Sequence, residues 1–121
     1  MDNKLKIKVS FYKDNIAIIE LSGELTVFTD EFDLLNKEIM AYIKMGVYRF
    51  IVNLDNLKYI DSSGVGLLMR MGSVAAKNKT KLCIICEQPN ILKVLAISKV
   101  DVFFNHVKSL SEGIAFFEHN I

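Results

Sequence analysis

This 121-residue sequence predicts a single α/β domain: a mixed sheet of four to five strands with about four helices, mostly covering one face. Three observations carry that expectation. The first two dozen residues hold two strand-length apolar segments separated by a polar turn. Thereafter, apolar runs of strand length alternate with segments of helical period, as in βαβ units. One Pro and six Gly leave no linker or low-complexity tract, so residues 1–121 form one domain.

The first strand spans residues 5–11, where Leu5, Ile7, Val9 and Phe11 alternate with polar residues. Lys13-Asp14-Asn15 has turn chemistry, and the run 16–21 supplies a second strand, so the pair reads as a hairpin. Thr29 is placed to cap the first helix, with Asp30 and Glu31 in its first turn. Phe32, Leu35, Ile39, Tyr42 and Ile43 form its buried stripe, and Gly46 suits the left-handed position that ends it. A β-branched and aromatic run predicts a strand over 48–54, followed by a loop over 55–61. Val65, Leu67, Leu68, Met71, Val74 and Ala75 then recur at helical spacing, in a helix starting at Ser62 or Ser63. The run 81–86 reads as a buried strand, and Pro89 opens a short helix with Ile91, Leu92 and Leu95 on its apolar side. Residues 102–104 suggest a last short strand. Ser109-Leu-Ser-Glu112 is a capping box for a final helix turning Leu110, Ile114 and Phe117 inward.

Composition excludes several classes of function. Fifteen basic and fourteen acidic residues give a net charge of +1 and are scattered, so no direct nucleic-acid contact is expected. The cluster Lys77-Asn-Lys79-Thr-Lys81 reads as a solvated turn. No apolar run reaches the roughly 18 residues of a membrane span, and the amino terminus lacks the apolar middle of a signal peptide. Membrane insertion is therefore not expected, and a cytoplasmic location follows. Cys83 and Cys86 have redox-motif spacing. Within a strand, however, residues three apart point to opposite faces, so core thiols are expected instead.

The segment Asp61-Ser62-Ser63-Gly64-Val65-Gly66 lies between a strand and a helix. A serine there is open to three readings: a helix cap, a nucleophile or a phosphoryl acceptor. Nucleophilic catalysis needs a base, and the histidines are only His106 and His119. The Gly-x-Ser-x-Gly elbow, a Walker sequence, the third glycine of a dinucleotide fingerprint and metal-ligand spacing are all missing. Neither an enzyme, a cofactor nor a metal is expected.

The run from Val52 to Leu67, with Asp55, Asp61, Ser62, Ser63, Gly64 and Gly66, closely resembles the signature of the bacterial anti-sigma factor antagonists of the STAS-domain family. Leu21-Ser-Gly23-Glu24-Leu25, the helix start at Thr29 and the strand 83–87 extend the resemblance over nearly the whole chain. It implies a STAS-like sheet and a protein that binds an anti-sigma factor, usually also a serine kinase, and so releases a sigma factor. It also implies that phosphorylation of the serine directly after the Asp switches binding off. By position that serine is Ser62, with Ser63 the neighbouring hydroxyl. A PP2C-type phosphatase resets such circuits.

The implied partner surface comprises Glu24, Thr26, Phe28, Asp61, Ser62, Ser63, Gly64, Val65 and Gly66. One departure is Thr26, which stands where many family members carry an acid, so this loop is expected to present hydroxyl and apolar groups to the partner. Phe28 is open to two readings, an exposed anchor or a core residue. The resemblance also admits a STAS accessory or scaffold subunit of a transporter or stress-signalling complex. A weak nucleotide-binding role rests only on the anion-friendly helix start. A partly bare sheet face is compatible with a monomer or a weak homodimer.

Overall fold

A computed structural model describes residues 4–119, and every statement below concerns them. Strands β1 (Leu5–Tyr12) and β2 (Ile16–Leu25) form the expected antiparallel hairpin. Helix α1 (Glu31–Lys44) leads to β3 (Arg49–Ile60), α2 (Ser62–Lys77) to β4 (Leu82–Ile85), and α3 (Pro89–Ile97) with a 3-10 turn (Val100–Phe103) to β5 (Phe104–Val107). Helix α4 (Leu110–His119) closes the fold. The sheet has five strands in the order β1-β2-β3-β4-β5, and all pairs after the hairpin are parallel.

Each parallel strand is added beside its predecessor in the same direction around the sheet. Right-handed crossovers then put every connecting helix on the same face. The larger core accordingly holds Leu35 and Ile39 of α1, Leu67, Leu68 and Met71 of α2, and Ile91 and Leu95 of α3. Helix α4 follows the last strand and folds onto the opposite face, where Phe117 packs with Ile16, Ile18, Ile51, Cys83, Ile85 and Val107. One face is thus covered by three helices and the other by one, as expected.

Helix α1 ends at Met45, with Gly46 at φ 89° in the left-handed position, as the sequence predicts. Its start differs. Asp30 is the N-cap and makes no side-chain cap bond. Thr29 instead lies in a turn in which its hydroxyl donates to the Thr26 carbonyl at 2.8 Å, so it is turned inward and cannot cap.

The predicted loop 55–61 is strand up to Ile60. The pairing of β2 with β3 slips twice, between Glu20 and Ser22 and between Gly23 and Glu24, and each slip adds one residue to β3. Two bulges turn the strand period of two into three, so Leu54, Leu57 and Ile60 all face the larger core. Strand β2 correspondingly continues past residue 21 to Leu25. The predicted strand at 102–104 is displaced: Val100–Phe103 forms the 3-10 turn and β5 begins at Phe104. Of the expected capping box the serine half forms, with the Glu112 backbone N–H donating to Ser109 Oγ at 3.1 Å. Leu110, expected inward, is 41% exposed because it sits at the first turn before α4 meets the sheet.

Candidate functional site

The candidate site forms where β3 ends and α2 begins. Asp61, extended at φ −103° and ψ −177°, is the N-cap of α2. One carboxylate oxygen accepts from the Gly64 N–H at 2.9 Å, and the other accepts from the Val27 N–H at 3.2 Å. A single side chain therefore caps the helix and ties the β2–α1 loop to it. The backbone adds a link, with the Asp61 N–H donating to the Leu25 carbonyl at 3.3 Å.

Because Asp61 takes the capping role, neither serine does, which corrects the capping reading of Ser62 or Ser63. Ser62 is the first residue of α2, exposed, and among the described residues its hydroxyl makes no hydrogen bond. Ser63 is half-buried. The N–H groups of the first helical turn surround a position where added negative charge is favourable.

Gly64 is required by close approach. A Cβ there would stand 2.4 Å from the Leu25 carbonyl oxygen and 2.8 Å from Ile60 Cγ1. Gly66 differs: a Cβ there would meet nothing within 4 Å, and the residue lies half-buried beside open space.

The predicted partner residues divide by exposure. Phe28 is 82% exposed, which resolves its alternatives in favour of display. Ser62 is exposed, and Glu24, Asp61, Ser63 and Gly66 are partly so. Gly64 and Val65 lie on the buried side of α2 and support the site from beneath. Thr26 does not present its hydroxyl. Its side chain is 2% exposed, and Oγ1 has no hydrogen-bond partner among the described residues. The turn that draws Thr29 Oγ1 onto the Thr26 carbonyl buries both residues and pushes Val27 and Phe28 outward.

Sequence reasoning missed Tyr59, which is 54% exposed and pairs in register with Glu24 across β2 and β3. The available signal was its place one residue before Ile60-Asp61, hidden because the segment was read as a loop. Val27 and Phe28, in the loop tied to Asp61, and Tyr59, near the end of β3, thus leave apolar surface exposed.

The described residues include no group of three or more His, Cys, Asp or Glu able to hold a metal, and no helix long and apolar enough to cross a membrane. Cys83 and Cys86 are free, buried thiols assigned to opposite faces of the sheet. Burial pushes the Cys83 thiol up to about 12, opposed by a hydrogen bond with Asn105.

The STAS domain family model matches residues 11–113, and the chain belongs to that family. The fold is similar to that of the anti-sigma factor antagonist SpoIIAA in its unphosphorylated form, at TM-score 0.81 and 20% identity over 96% of this chain and 99% of that one. It is likewise similar to the Bacillus cell fate determinant SpoIIAA in its phosphorylated form, at TM-score 0.71 and 21% identity over 91% and 97% of the two chains. A third likeness is to an anti-sigma factor antagonist from Mycobacterium paratuberculosis, at TM-score 0.75 and 14% identity, covering 95% of each chain.

Proposed function

We infer that the protein is an anti-sigma factor antagonist: a binding module that docks onto an anti-sigma factor with serine kinase activity and frees a sigma factor. Phosphorylation of Ser62 is the off switch. The observation that carries this reading is the division of labour at the start of α2, where Asp61 caps the helix and Ser62 is left exposed with an uncommitted hydroxyl. A serine needed only for structure would be expected to hold the cap itself. The STAS family membership and the likeness to anti-sigma factor antagonists support the same reading.

The chemistry asks little of this chain. Ser62 Oγ attacks the terminal phosphorus of ATP held by the kinase, ADP departs, and the hydroxyl proton is lost. The chain needs no base or metal of its own, because the kinase supplies both. The new group brings about −1.5 to −2 charge beside Asp61. In the free protein, the N-terminus of α2 offsets part of that repulsion, by roughly 0.3–1 kcal/mol for an exposed site. In the complex, the same dianion is pressed against a partner and loses its water, which commonly costs several kcal/mol. The modification therefore acts on docking rather than on folding. Phe28 and Tyr59, both exposed aromatic side chains, are the apolar anchors of the docking surface. A separate phosphatase of the PP2C type restores the hydroxyl.

The test is Ser62→Asp measured against the cognate anti-sigma kinase by titration calorimetry. Binding falls by about 100-fold or more, equivalent to roughly 3 kcal/mol. Thermal unfolding stays within about 2 °C of the parent, as for a surface substitution. Tight binding by Ser62→Asp, or phosphate mapped to another residue after incubation with kinase and ATP, overturns the reading.

A further inference from the structure

The bare part of the α4 side of the sheet carries an arrangement that the docking site does not use. Two cross-strand rows run over β1, β2 and β3: Lys6 opposite Ser22 opposite Asn56, and Lys8 opposite Glu20 opposite Asn53. They floor a continuous groove with lobes of about 460 and 210 Å³. The larger lobe is lined by Lys4, Lys6 and Lys58 together with Ser22, Asn56 and Gln88, and no carboxylate lines it. Lys8 in the other lobe faces Glu20 at 3.9 Å, whereas Lys4, Lys6 and Lys58 have no ion pair among the described residues.

Lysines along β1 are expected at a sheet edge, where they discourage pairing with another chain. That accounts for Lys4, Lys6 and Lys8. It does not account for Lys58 or Asn56, which belong to the central strand. The two bulges of β3 set these residues outside the larger core, because between Leu54, Leu57 and Ile60 they leave two residues rather than one pointing away from it. The molecule as a whole carries a net charge of only +1, so this concentration of unpaired cations does not reflect the average surface.

We propose that this groove binds a small oligophosphate: a soluble anion with two or more linked phosphoryl groups. Cations contributed from β1 and β3 stand two strand spacings apart, about 10 Å, which exceeds one phosphate and suits a chain of them. Each ammonium is a compact donor for anionic oxygens, and the Ser22 hydroxyl and the Asn56 and Gln88 amides supply neutral polar groups between them. No aromatic side chain lines either lobe, so there is no platform on which a base would stack, and the phosphate chain itself is what is recognised.

The experiment is titration calorimetry of the full chain with inorganic triphosphate, with inorganic monophosphate and a single-stranded oligonucleotide as comparators. Triphosphate binds, more weakly as salt rises, and monophosphate binds at least several-fold less tightly. Lys6→Gln and Lys58→Gln each weaken binding about tenfold, the loss of one charge-assisted contact. Glu20→Gln removes the opposing carboxylate, frees Lys8 and tightens binding several-fold, a gain that misfolding cannot imitate. Ser62→Asp leaves triphosphate binding unchanged, which separates this groove from the docking site. No binding at millimolar triphosphate, affinity indifferent to both lysine substitutions, or tighter binding of the oligonucleotide overturns the proposal.

Discussion

Asp61 joins two segments with one carboxylate, and substitution can separate its two functions. Asp61→Ala loses the bonds to Gly64 and Val27 together and lowers stability by about 1–2 kcal/mol in urea unfolding. Asp61→Asn keeps an N-cap acceptor for Gly64 but replaces one carboxylate oxygen with a donor, so it loses mainly the tie to Val27 and lies between alanine and the parent. Cys83 supplies a pH-dependent counterpart. Its thiol titrates near 9.0 when unfolded and at about 12 when folded, because burial disfavours the thiolate. Between those values the unfolded chain holds fewer protons than the folded one, so stability declines as pH rises from 9 toward 12 and is unaffected by this group below that window. Urea midpoints of the parent and Cys83→Ala measured across that range check it: the parent's midpoint falls more steeply with pH. At this scale the sequence pointed to Ser62 through its place after Asp61. It did not reveal which of the two caps the helix, since Asp and Ser cap about equally well.

The start of α2 is also where the scale of the element decides outcomes. Gly64 and Gly66 look alike in sequence but differ in surroundings, with backbone 2.4 Å from a Cβ at Gly64 and open space at Gly66. Gly64→Ala forces α2 away from Leu25 and Ile60 at the ends of β2 and β3 and costs about 2 kcal/mol or more. Gly66→Ala relieves a poor helix former and stabilises by up to about 1 kcal/mol. Paired denaturant midpoints distinguish the two. Strand β3 shows why elements were only partly legible. The β-branched and aromatic run 48–54 reads as strand, whereas Leu54, Leu57 and Ile60 recur every third residue and do not. The bulges that produce this period belong to the pairing with β2, and the sequence of β3 contains no sign of its partner's register. Thr29 was misjudged for a similar reason, because its capping geometry was lost to a turn closed by the Thr26 carbonyl.

At the scale of the whole molecule, the asymmetry of the two sheet faces governs stability. Among the described residues, α4 is the helix packed on its side of the sheet, and Phe117, 3% exposed, is its innermost side chain. Phe117→Ala opens a cavity against Ile16, Ile18, Ile51 and Val107 and costs about 3–5 kcal/mol. That is a large share of the 5–15 kcal/mol typical of a domain, so the urea midpoint falls steeply. Fold class, the order of elements and the buried stripes of the helices followed from the sequence, because periodicity and turn chemistry are local properties of the chain. The phosphoryl-acceptor reading of Ser62 also came from local context, through the resemblance of its loop to a family signature. The sequence did not determine the bulged continuation of β3, the burial of Thr26, the display of Phe28 and Tyr59 or the lysine-lined groove. Each of these depends on which residues from distant segments come to lie side by side, and only tertiary packing brings them there.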